Sequence, residues 1–154
     1  MGHAGPAEFG RRRLADEDRA GGIEAFDGNG IGGAPRRDDI VGWSQICNRL
    51  YIWDYTTNFR HHIMPHPNLR VLGPNVKFFA DHNVKGIFEQ GAYTTSGAEM
   101  AELRAWVLAQ LLWDPGRDPQ TLVDTFLDGY YGPAAGPLRA YLKLTHDAVD
   151  ASGD

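Results

Sequence analysis

The order of apolar and polar residues divides the chain into a patternless beginning and a strongly patterned remainder. Residues 1–39 are rich in glycine and charge, with Phe9 and Phe26 as their only aromatic residues and no sustained period, so they read as a disordered tail. From Asp39 onward Ile40, Val41, Trp43, Ile46 and Cys47 fall at helical intervals behind an aspartate able to cap them, which predicts a short helix. Leu50 to Tyr55 is a dense aromatic and aliphatic run, the pattern of a buried strand covered on both faces as parallel strands usually are. A helix is expected from Asn68 through Val71, Leu72, Val76, Phe78 and Phe79, with a break at Gly73-Pro74.

Val84 to Gln90 predicts a second strand, ended by Gly91. Ser96 and Glu99 have capping-box spacing ahead of an amphipathic run carrying Met100, Leu103, Val107, Leu108, Leu111 and Leu112. Asp114-Pro115-Gly116 stops that helix, Asp118 and Pro119 start the next, Gly132 closes it, and a final helix is expected over Ala135 to Ala151. Helix, strand, helix, strand and three helices is the rhythm of βα units feeding a parallel sheet. The expected organisation is therefore a tail over 1–39, a partial α/β unit over 40–114, and a helical extension over 115–154.

Composition narrows the function. A net charge of -5 gives no electrostatic reason to attract nucleic acid. No stretch approaches the roughly 20 apolar residues of a membrane span. Cys47 is the only cysteine, so no intrachain disulfide forms, and it is expected to be a small buried hydrophobe. The arginines at 11–13 lead into acidic residues rather than the apolar core of a signal peptide, so export is not legible here.

Two glycine-rich patterns in the tail are weak. Gly28, Gly30 and Gly33 match a dinucleotide spacing, but no apolar-periodic helix follows Ala34-Pro35. Asp27, Asn29, Gly32 and Asp38 resemble a calcium loop that has Ile31 where an oxygen ligand belongs. His62 and His66 stand four apart, yet Pro65 and Pro67 prevent the helix that would align them on a metal. No cofactor or metal is therefore expected. Trp106, Trp113, Tyr130, Tyr131 and Tyr141 sit at core-like helical spacing and are expected to pack inside.

In parallel barrels the chemistry gathers at the C-terminal strand ends, here Trp53, Asp54 and Tyr55 on the first strand and Glu89 and Gln90 on the second. Carboxylates at both ends would supply charge to an oxocarbenium-like transition state, and the aromatics would stack on a sugar ring. The competing structural role for Asp54 and Glu89 is capping a neighbouring helix or pairing with arginine.

The stretches Tyr51-Ile-Trp-Asp-Tyr-Thr-Thr-Asn-Phe59, Pro65-His-Pro-Asn-Leu69, Gly86-Ile-Phe-Glu-Gln-Gly91, Leu111-Leu-Trp-Asp-Pro115 and Tyr130-Tyr-Gly132 together carry a resemblance. Over residues 40–150 the chain resembles the C-terminal part of a glycoside-hydrolase-like domain of unknown function related to endo-β-N-acetylglucosaminidases. The resemblance implies that the two strands are the last two of a (β/α)8 TIM-type barrel, and that full-length relatives are exported. At 154 residues the chain is shorter than the roughly 250 of such a barrel, so it is expected to be a fragment. In enzymes similar to these the substrate's own acetamido oxygen attacks the anomeric carbon. Their acid pair sits on a middle strand that this chain does not contain, so no catalytic acid is identified. By the same resemblance Trp53, Asp54, Tyr55, Glu89 and Gln90 line a sugar subsite, the partner is a glycan or oligosaccharide, and self-association through exposed barrel edges follows. The alternatives are a noncatalytic carbohydrate-binding module and a helical interaction module.

Overall fold

In the computed structural model residues 37–152 are described. The tail through residue 36, with its glycine and calcium-like patterns up to that point, lies outside the described residues. The chain forms α1 (Arg37–Ile46), β1 (Leu50–Tyr55), α2 (Leu69–Asp81), β2 (Val84–Gln90), α3 (Ala101–Trp113), α4 (Pro119–Tyr131), a 3-10 turn (Gly132–Ala134) and α5 (Ala135–Ser152). This is the expected α/β class with two parallel strands. The expected tail gives up its last three residues to α1, because Asp38 and Asp39 complement the positive end of the helix dipole from its first turn.

Two apolar clusters hold the molecule together. Ile40, Ile52, Phe78 and Phe79 join α1, β1 and α2, and the Arg37 guanidinium adds a cation–π contact at 4.6 Å from the Phe78 ring centre. The larger cluster packs Leu72 and Val76 of α2 against Leu103, Val107 and Leu111 of α3 and Leu122 and Leu127 of α4. Helix α2 thus serves both clusters, turning Val71, Phe78 and Phe79 to the sheet and Leu69, Leu72 and Val76 to the helices.

Several expectations are corrected. Helix α2 runs through Gly73-Pro74 without a break. Pro74 is exposed, so the carbonyl that loses its helical partner lies on the wet side of the helix, and Gly73 lies so close to α4 that a Cβ would stand 2.2 Å from Pro119 Cγ. The Ser96–Glu99 capping box does not form. Helix α3 starts at Ala101 after Met100 in a left-handed conformation (φ 49°), and the Glu99 carboxylate is held by Arg104 instead. Asp118 does cap α4, its carboxylate accepting from the Thr121 amide at 2.7 Å. Trp113 and Tyr130 are 89% and 60% exposed rather than internal, whereas Trp106, Tyr131 and Tyr141 pack against the core. Cys47 is half-buried, with its thiol donating to the Arg49 carbonyl.

The largest departure concerns β1, which is covered on one face only. Ile52 and Asp54 are buried beneath the helices, but Tyr51 and Trp53 are exposed, as is Phe88 of β2. With only two strands and all packed helices on one side, nothing among the described residues covers the second face. The Tyr51 ring occupies the space a side chain at position 86 would need, 2.8 Å from a Cβ placed on Gly86.

Candidate functional site

The parallel register puts Trp53 beside Phe88, Asp54 beside Glu89 and Tyr55 beside Gln90. Because side chains alternate between faces, these residues separate into two sets. Trp53, Tyr55, Phe88 and Gln90 belong to the open face, and Asp54 and Glu89 to the face turned toward the helices. The five residues expected to form one subsite are thus neighbours in the backbone but divided by the sheet.

On the open face the Trp53 indole N–H donates to Gln90 Oε1 at 2.8 Å. This bond crosses the strands and fixes the ring, while Phe88 meets Trp53 edge-on at 4.9 Å. Both rings remain more than half exposed, Trp53 at 60% and Phe88 at 54%. Tyr55 passes the aromatic surface on to the following loop, its ring meeting Phe59 at 5.7 Å.

On the covered face Asp54 is 1% exposed. Burial pushes its carboxyl from 3.8 up to about 6, only partly opposed by the hydrogen bond it accepts from the Tyr55 amide at 2.8 Å. Glu89 is pushed from 4.5 up to about 8, first by burial and then by the neighbouring Asp54 charge. Its Oε2 is buried without a hydrogen-bond partner. Neither carboxylate pairs with an arginine among the described residues. Both carboxyls are held above their ordinary range, Glu89 further than Asp54, so Glu89 is the member of the pair that keeps its proton more readily. Glu89 lines a cavity of about 320 Å³ between β2 and α3, with Thr56, Thr57, Ile87, Arg104 and Leu108 among its walls.

Arg104 is the residue that motif reasoning missed. It is 4% exposed, and its guanidinium donates to Asn68 Oδ1 at 2.8 Å, to the His66 carbonyl at 2.8 Å, and to the carbonyl and carboxylate of Glu99 at 2.5 and 2.8 Å. One buried cation therefore fastens the loop after β1 to the loop after β2. Burial, and after it the adjacent Arg104 charge, hold the His66 imidazole down at about 4, so it stays neutral. The available signal was the position itself, an arginine between Leu103 and Val107 on the apolar stripe of α3. The loops also meet through the His62 carbonyl, which accepts from the Glu99 amide at 2.8 Å, and through His62 Nε2 and Thr94 Oγ1 at 2.9 Å.

A larger groove of about 980 Å³ runs between α2, α4 and α5, away from the strand ends. Much of its charged rim is internally neutralised, Arg70 by Asp147 and Asp150, Arg139 by Asp124 and Asp128, and Lys143 by Asp147. Its structural role is the simpler account of it.

The fold and site define an α/β protein whose candidate chemistry lies where two parallel strands end. Over residues 24–143 the chain matches the family described as Domain of unknown function (DUF4838), and it belongs to that family. No curated protein and no solved structure matches it. Among the described residues no helix is long and apolar enough to cross a membrane.

Proposed function

We propose that this chain forms part of the sugar-binding surface of a glycoside hydrolase acting on N-acetylglucosamine-containing glycans, with its strands as the last two of a (β/α)8 barrel. The observation that carries the binding role is the open-face platform: an exposed indole locked by Gln90, flanked by Phe88, at the C-terminal ends of parallel strands. Flat apolar rings beside a fixed amide suit the apolar face and the hydroxyls of a pyranose. The sequence resemblance supports the class of enzyme.

Glu89 acts in this reading as a supporting residue. A proton donor must come within about 3 Å of the glycosidic oxygen. The alternation along β2 puts Glu89 on the covered face with Asp54, opposite Trp53, so for a sugar stacked on the indole the acid comes from elsewhere. The two strand ends contribute a subsite, and the proton donor for turnover comes from a group outside them.

Titration calorimetry with N-acetylglucosamine oligosaccharides, alongside release of sugar from N-glycans, tests this. Binding that Trp53→Ala weakens about tenfold is the expected result. Absence of binding to every amino sugar sinks the carbohydrate assignment. Binding by this chain together with turnover that survives loss of Trp53 would overturn the subsite role.

A further inference from the structure

We propose that Tyr93 and Phe59 form a second, distal sugar subsite, so that the surface takes an oligosaccharide of at least two units rather than a single sugar. This rests on the carbohydrate reading above and adds to it a residue that sets chain-length preference.

The aromatic surface does not stop where the strands do. Tyr55, two positions beyond Trp53, meets Phe59 at 5.7 Å with the rings nearly perpendicular (87°), and Phe59 meets Tyr93 at 6.0 Å. Residues two apart on a strand are separated by roughly 7 Å. Two ring-to-ring steps lead from Tyr55 through Phe59 to Tyr93, so Tyr93 belongs to an aromatic patch next to the indole rather than to the indole's own surroundings. Phe59 is half-buried and supports the cluster, while Tyr93 is 71% exposed at its far end.

An exposed tyrosine on an unrestrained loop would carry little weight, but this loop is fastened. The Glu99 amide donates to the His62 carbonyl, Thr94 next to Tyr93 meets His62 Nε2, and Arg104 holds Glu99 and His66 together. His62 also packs edge-on against Phe59 at 6.0 Å. The tyrosine is thus held in advance of binding, which lowers the entropy cost of engaging it.

The test compares N-acetylglucosamine with its linear tetrasaccharide by titration calorimetry on the full chain, using wild type, Tyr93→Ala, Tyr93→Phe and Trp53→Ala. We expect Tyr93→Ala to weaken the tetrasaccharide about tenfold and the monosaccharide less than about twofold, with Tyr93→Phe close to wild type. Trp53→Ala should weaken both. Circular dichroism and thermal melts establish that each variant is folded, a mild demand for a side chain this exposed. Equal weakening of both ligands by Tyr93→Ala, or of neither, overturns the distal subsite while leaving the carbohydrate reading intact. If wild type binds neither ligand, both fall together.

Discussion

Replacing Glu89 by glutamine keeps shape and removes one ionisation, so the pH at which the substitution is felt reports the environment of the carboxyl. The folded chain holds the Glu89 proton up to about pH 8, whereas the unfolded chain releases it near 4.5. Between those values the folded state binds more protons. Stability from this group is therefore complete below about 4.5 and is lost as pH rises through 8. With about 1.4 kcal/mol per tenfold change in proton affinity, the loss is about 1 kcal/mol at pH 5 and about 4–5 kcal/mol at pH 8.5. Asp54, held near 6, adds a loss of the same sign over a lower window, beginning near 3.8. Urea denaturation of wild type and Glu89→Gln at both pH values isolates the Glu89 part together with its coupling to Asp54, since groups outside that pair cancel in the difference. The variant should gain about 3–4 kcal/mol relative to wild type between pH 5 and pH 8.5. A difference that stays constant with pH would show that Glu89 ionises freely in the fold, and the account of its buried, unpartnered oxygen would be wrong.

Arg104→Ala should destabilise the fold by about 3–5 kcal/mol in thermal or urea melts, because it strands the Glu99 carboxylate and opens both loop contacts. Arg104→Lys should recover part of that loss, as a single ammonium cannot span the same acceptors. Gly73→Ala should cost about 1–3 kcal/mol in the same melts by pushing α4 away from α2. The uncovered face and free strand edges should make the chain associate as its concentration rises. Light scattering should show that association, and Trp53→Lys should reduce it.

Both strands were legible to the residue, since Leu50–Tyr55 and Val84–Gln90 are compact runs bounded by polar or glycine signals. Asp118-Pro119 and Gly132 marked the ends of α4 because capping is local chemistry. What sequence could not supply was the partner of each polar group. Glu99 has the spacing of a capping residue, but a buried arginine five positions later makes the stronger, charge-assisted claim on it. The five strand-end residues were recognisable as a group because motif and position agree. Their division between two faces follows from the alternation along each strand, which was readable, and from which face the helices cover, which was not. Tyr93 escaped notice because its ring neighbour Phe59 lies on the other loop, more than thirty positions away in sequence.

The bond between α5 and α2 bears on where this domain can be trimmed. His146 is buried, donates from Nδ1 to the Leu142 carbonyl at 2.8 Å, and accepts at Nε2 from the Leu69 amide at 3.0 Å. That amide is one of the orphan donors at the start of α2, and Asn68 offers it no side-chain cap. The family match ends at residue 143, three positions short of this histidine. A chain cut at that border would keep every residue of the strand-end site yet leave the first turn of α2 without its acceptor, and would also remove Asp147 and Asp150 from Arg70. The last turns of α5 are thus the clasp of the helix that both apolar clusters share, and the working boundary of the domain lies beyond the one its family alignment marks.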